Sequence, residues 1–263
     1  FPKAVAYFVI AFLLYWLYQS FKSAILALIG YFKIRLATKT NWLELFQDKF
    51  LASWLKYKQI HHVIIISSYK EPVEVIEMAV GSLAAQIDID LKKLHLILAQ
   101  EQRAGKENNQ KTIDYFSQKY RGIFGDFIFT EHPPDIPGET AGKHSNERFA
   151  AQFFKQKYID TGKYNINHLT LTSCDVDTIF NPKYFSALTY NFASNPSRYH
   201  RFWQSPIFWH NNINQVPSLI RMTGVLGNVI HIANIQEPDG LFFNYSCYFL
   251  ILLLSHRSKG ICK

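Results

Sequence analysis

Two carboxylates one residue apart close the run Leu169–Phe180, LTLTSCDVDTIF. Its apolar, β-branched part, Leu169–Thr172, reads as a buried strand, and Asn181–Pro182 behind it reads as the start of a helix. Alternation along an extended chain puts Asp175 and Asp177 on the same side. Two carboxylates so placed repel each other unless a cation, or a ligand carrying one, lies between them. Hard oxygen donors at a strand terminus suit Mg²⁺ or Mn²⁺, ions that keep coordination positions open for the phosphate oxygens of a substrate. The competing reading of the pair is a plain helix cap. A second candidate is Lys143 in Gly138-Glu139-Thr140-Ala141-Gly142-Lys143. His144 follows the lysine, so the run fails G-x-x-x-x-G-K-[ST], and a P-loop ATPase is excluded. A lysine at a helix start behind such a loop can still meet a phosphate through its ammonium and the helix dipole, the alternative being a solvated first-turn lysine.

The elements that must position these residues alternate. His62–Ser67 is a continuous apolar run, a strand buried on both faces, and it leads through SYKEP into a helix over Val73–Gln86. Leu94–Ala99 is a second such strand, ending in Gln100-Glu101-Gln102-Arg103. Asn108–Tyr120 reads as a helix, Phe127–Thr130 as a short strand, and Lys143 to about Tyr158 as a helix behind the loop His132–Gly142. Strands alternating with helices imply right-handed βαβ units and an α/β, mostly parallel sheet, in which ligands bind beyond the carboxyl ends of the strands. Tyr69–Glu71, Gln100–Arg103 and Asp175–Asp177 all fall there.

The N-terminal region differs in character. Ala4–Tyr18, AVAYFVIAFLLYWLY, is uncharged and apolar all round, and with its flanks it approaches the roughly 20 residues a spanning helix needs. Tyr15, Trp16 and Tyr18 suit an interfacial belt, and without an A-x-A-like cleavage site the segment reads as an anchor. Ala24–Phe32 reads as a surface-lying helix, so residues 1–36 form a membrane segment. Lys22, Lys33, Arg35 and Lys39 follow the anchor, which by the positive-inside rule puts the next domain at the cytoplasmic face of the cell membrane. The alternative is a buried first helix of a soluble protein. Residues 37–60 read as a connecting helix, with Trp42, Leu45, Phe46 and Phe50 at helical spacing. The net charge of +8 is dispersed, without a Lys/Arg block or a nucleic-acid motif, so no nucleic acid is expected as partner. Cys174, Cys247 and Cys262 have neither metal-ligand nor disulfide spacing. His61, His62, His95 and His210 read as structural or surface residues.

Four stretches in order and spacing resemble the family 2 glycosyltransferases of GT-A fold. IIISSYKEP (Ile64–Pro72) is similar to that family's first strand and P-x-Y-x-E turn, and LILAQEQRAG (Leu96–Gly105) stands where members carry an acidic pair. GKHSNERFA (Gly142–Ala150) is similar to its lysine-then-asparagine helix start, and SCDVDTIFNPKYF to its Asp-x-Asp strand and following helix. The resemblance implies a GT-A domain over residues 61–240 and a metal-assisted, inverting transfer of a sugar from a nucleotide-diphosphate donor, with a lipid-linked or polysaccharide acceptor guessed from the membrane attachment. It implies Glu71 in the nucleotide-side turn and Glu101 as acceptor for base N–H groups. Lys143 would face the diphosphate or ribose, with Asn146 supporting the helix start. Asp175 would lie toward the ribose and metal, and Asp177 would ligate the metal directly.

An inverting transfer also needs a general base. The nearby acidic residues are Glu237 and Asp239 in IQEPDGLFF, and they do not sit in the family's Glu-Asp pattern. A Gln-x-x-Arg-Trp motif is missing as well. Trp203, Gln204 and Trp209, with Ser205, Pro206 and Phe208, suggest an acceptor-side wall, because aromatic faces pack on sugar C–H faces; ordinary aromatic core is the plainer reading. Asn211–Met222 reads as a helix near the membrane. Residues 241–263 form a short apolar tail, and with a start at Phe1 they make the sequence read as a fragment truncated at its C-terminus. Two other functions stay open: a nucleotidyltransferase of the same fold, disfavoured because SYKEP lacks a Gly-rich loop, and a non-catalytic donor-binding or assembly subunit.

Overall fold

The computed structural model describes residues 1–49, 55–201, 203–209, 213–214, 216–237 and, as backbone, 248–250. Two compact units divide the chain. Residues 40–204 and 248–250 form an α/β unit, and 1–39 with 205–237 form a helical one.

The α/β unit is organised by a six-stranded sheet in the order β3-β2-β1-β4-β6-β5. Strands β1 (His61–Ser68), β2 (Leu94–Glu101), β3 (Asp126–His132) and β4 (Leu169–Asp175) are parallel. This is the mostly parallel, helix-flanked sheet expected from the alternation. β5 (Trp203–Gln204) and β6 (Tyr248–Leu250) add an antiparallel edge, so part of the expected apolar tail is a sheet strand. The helices α3 (Val73–Ala84), α4 (Lys106–Lys119) and α5 (Lys143–Phe154) follow β1, β2 and β3. Val63, Ile65, Ile97, Ala99, Ile128 and Leu169 pack against Ala150 and Phe154 of α5, which makes that sheet face a dry core. On the other face, His62 meets α6 (Tyr184–Ser194), its ring 5.2 Å from that of Phe185. Helix α2 (Trp42–Lys49) also packs on α6, through Trp42 and Phe46 against Tyr190.

Several boundaries differ from the sequence reading, each for a local reason. Of the expected connecting helix over 37–60, the described residues show α2 and a 3₁₀ turn at Tyr57–Gln59, and residues 50–54, Phe50 among them, lie outside the described residues. The helix expected from Pro182 begins at Tyr184, because Asn181 folds an Asx turn in which its side chain accepts from Lys183 N at 3.0 Å. Helix α5 widens after Phe154 into a π turn, Lys155–Ile159, closed by Asp160 N to Lys155 O at 2.9 Å. The strand of the Asp-x-Asp stops at Asp175, and Thr178 N donates to Asp175 O at 3.1 Å, so Asp177 stands in a turn beyond the strand.

In the helical unit, α1 runs unbroken from Pro2 to Lys39 and is long and apolar enough to cross a membrane. The expected division into an anchor and a separate surface helix is absent. Nothing between Gln19 and Phe32 breaks a helix except Gly30, and Gly30 is buried against α7 (Ser218–Ile235). A Cβ at Gly30 would meet Ile232 Cγ2 at 2.3 Å, so glycine is what permits the approach. Helix α7 begins at Ser218, with Pro217 before its first turn because proline cannot sit inside a helix, and the expected start at Asn211 lies outside the described residues.

Candidate functional site

Strand alternation and the parallel register decide what gathers at the carboxyl edge. Ser67 of β1 stands beside Asp175 of β4, and Glu101 of β2 beside His132 of β3. These side chains share the face covered by α5, whose first residue is Lys143. The ammonium of Lys143 is ion-paired with Asp175, with the two side chains 31% and 44% exposed. Lysine and aspartate, 32 positions apart in sequence, therefore meet at the strand edge where ligands bind in such sheets. Asp177 follows in the exposed turn.

Glu147, one helical turn beyond Lys143, is buried below this pair. Its Oε1 accepts from Ser67 Oγ at 3.0 Å and Ser173 Oγ at 2.6 Å and lies 3.8 Å from Lys143 Nζ. Asn146 donates to Ala99 O at 2.7 Å and ties the first turn of α5 to β2. The sequence reading missed Glu147, Ser67 and Ser173. The i,i+4 spacing of Lys143 and Glu147 was the available signal for the first.

On the β2 side, Glu101 is ion-paired with Arg103, whose guanidinium carbon lies 5.2 Å from the Tyr69 ring centroid. Asn109 Nδ2 donates to Glu101 O at 3.1 Å. Between them, Gly105 turns the chain from β2 into α4 at φ +99°, a conformation glycine adopts without strain. Glu71 is turned into its own loop, accepting from Tyr69 N at 2.6 Å and Ser68 Oγ at 3.1 Å.

The remaining sequence candidates belong to other elements. Trp203 and Gln204 form β5, and Trp203 packs 6.0 Å from the Phe192 ring. Trp209 belongs to the helical unit, where its N donates to Asn228 Oδ1 at 3.0 Å. Glu237 is also in the helical unit and is ion-paired with Lys22 of α1. Asp239 and His210 lie outside the described residues.

The donor set at the β4 edge suits a hard divalent cation. Two carboxylates, Asp175 and Asp177, leave positions for substrate oxygens, the usual mode for Mg²⁺ and a fit for Mn²⁺. Among the described residues no group of three His, Cys, Asp or Glu side chains is placed to hold a metal alone.

A second polar cluster lies at the amino edge of the same sheet. Lys93 Nζ is 3.3 Å from His61 Nε2, and His61 Nδ1 is 2.8 Å from His95 Nε2. A lysine donor at Nε2 leaves the hydrogen of His61 on Nδ1, which donates to His95 Nε2. The hydrogen of His95 then sits on Nδ1, 2.9 Å from Asp126 Oδ2 though off the line of a good hydrogen bond. Burial and neighbouring positive charge push both imidazoles down to about 4, despite Asp126 beside His95. They are neutral at physiological pH, as their expected structural role requires.

No protein-family model and no curated protein matches the sequence. Among solved structures, the chain is similar to the mannosyltransferase PcManGT from Pyrobaculum calidifontis, in complex with GDP-Man and Mn²⁺. The identity is 11% and the TM-score 0.38, over 66% of this chain and 45% of that one. The chain thus spans under half the length of this neighbour.

Proposed function

We propose that this chain is a nucleotide-sugar glycosyltransferase of GT-A type, family 2, that uses a divalent cation. The observation that carries the reading is Lys143 paired with Asp175 at the carboxyl edge of a parallel sheet, with Asp177 in the next turn. Asp175 and Asp177 would hold Mg²⁺ or Mn²⁺, which when bound supplies positive charge for a diphosphate leaving group. Lys143 adds a second positive charge to the same oxygens, as they gain negative charge while the glycosyl bond breaks. Glu101 and Glu71, on the loops after β2 and β1, would line the nucleotide end. Trp203, Gln204 and Trp209 are proposed for the acceptor side. α1 would anchor the chain in the cell membrane, with the α/β unit at the cytoplasmic face, and the anchor suggests a lipid-linked or polysaccharide acceptor. An inverting transfer would take its acceptor proton to Glu237 or Asp239.

A second reading, a donor-binding subunit without turnover, is favoured by one observation. Glu237, a candidate base, is engaged by Lys22.

The test is calorimetric binding of UDP, GDP and GDP-mannose, with and without Mn²⁺, to the full chain and to Asp177→Ala. Metal-dependent binding that the substitution abolishes supports the donor site. A folded protein that binds none of the three overturns it. Release of nucleotide from a sugar donor then separates the enzyme from the binder.

A further inference from the structure

Lys143 stands between two carboxylates of different character. Asp175 is 44% exposed at the strand edge, whereas the Glu147 side chain is 9% exposed and fixed by hydroxyls from two neighbouring strands. Two neutral hydroxyls do not balance a buried carboxylate, so Glu147 needs a cation close by. Among the described residues, the positive groups ion-paired with it are Lys143, Nζ at 3.8 Å, and His144, Nδ1 at 4.0 Å. His144 is 88% exposed and belongs to solvent, which leaves Lys143 as the effective counter-charge. Asp175, in contrast, is the group that a divalent cation would claim, and a lysine paired to it must then give way.

We propose that Glu147 is a positioning residue that keeps the Lys143 ammonium at the sheet edge when Asp175 turns to the metal. Held from below by Glu147, Lys143 exchanges Asp175 for a diphosphate oxygen without leaving the site. The inference rests on the donor reading above. Ser67 and Ser173 make the anchor rigid, because they bind Glu147 from β1 and β4 at once and so fix it relative to the strand that carries Asp175.

The experiment is a double-mutant cycle on the full chain, reading calorimetric affinity for GDP or UDP with Mn²⁺. Glu147→Gln keeps an oxygen to accept from Ser67 and Ser173 and removes the charge alone. It is expected to weaken binding on the order of 10-fold in the native background, the scale of residues that orient a metal site's ligands. In a Lys143→Met background the same change is expected to do nothing. An equal loss in both backgrounds would mark Glu147 as merely structural and overturn the inference, as would no loss in the native background. If Glu147→Gln does not fold, Glu147→Asp takes its place in the cycle under the same criteria. A native protein that binds no nucleotide with Mn²⁺ overturns the donor reading and this inference together. Normal native binding with a flat cycle overturns this inference alone.

Discussion

Lowering the pH should destabilise the α/β unit through His62, before its carboxylates titrate. His62 is fully buried between β4 and α6, with Nδ1 2.6 Å from Thr170 Oγ1 and Nε2 2.8 Å from Thr189 Oγ1. Thr189 spends its hydroxyl hydrogen on Phe185 O at 2.7 Å, so it accepts from His62 Nε2–H and leaves Nδ1 without a proton. Burial first, and the neighbouring imidazoles second, push this histidine down to about 3. An unfolded histidine titrates near 6.5, so below that value the unfolded chain binds a proton that the folded chain refuses. The stabilisation is complete above about pH 6.5 and is lost as pH falls toward 3. At about 1.36 kcal/mol per pH unit, the loss from His62 is about 2 kcal/mol at pH 5 and about 4 kcal/mol at pH 3. His61 and His95 act in the same direction, less per residue because they are less deeply buried. The assay is urea unfolding in non-ionic detergent, from pH 8 to pH 5, for the native chain and for His62→Gln. The variant should be less stable at pH 8 and lose about one proton's worth of pH slope between 6 and 5. Parallel stability curves for the two proteins would refute the reasoning.

Asp175→Asn should cost less than about 1 kcal/mol of stability, because both partners in its ion pair are partly exposed, while removing metal-dependent nucleotide binding. A thermal melt beside the calorimetric titration checks both halves. Asn146→Ala removes the buried donor to Ala99 O and should cost about 1–3 kcal/mol in the same melts. Gly30→Val forces a Cβ onto Ile232 and should loosen α1 from α7 by about 1–3 kcal/mol. Amide exchange in α7 should accelerate by roughly 5- to 150-fold, and unchanged exchange would count against that packing.

The sheet was legible because β1 and β2 are short apolar runs bounded by polar clusters, a pattern that strands buried on both faces produce. The gathering of Tyr69–Glu71, Gln100–Arg103 and Asp175–Asp177 at one sheet edge followed from the strand–helix alternation, whereas the meeting of Lys143 with Asp175 did not. What stayed hidden depends on atoms that sequence spacing does not report. Pairing Asp175 with Asp177 by alternation assumed that the strand continued, whereas the chain turns after Asp175. Glu147 drew no reading from the sequence, because the hydroxyls that hold it, on Ser67 and Ser173, lie on other elements. α1 was read as two pieces because Lys22 ends the uncharged run, but one charge ends a membrane span without ending a helix. The antiparallel edge was invisible, since β5 is two residues long and β6 lies within a stretch read as an apolar tail.

That edge carries a consequence for biosynthesis. Among the described residues β5 pairs with β6 alone, and β6 is the strand that joins it to β4. Between Gln204 and Tyr248 the ribosome must make all of α7. At roughly 5–20 residues per second this takes roughly 2–9 s, during which the outer edge of β4 has no strand beside it. The nascent sheet is therefore open next to the Asp175 strand, and an open edge is a template for wrong pairing. A chain stalled or cleaved after β5 would carry Lys143 and Asp175 together with an unsealed flank. Its yield as folded protein would be set by aggregation, whatever its affinity for ligand.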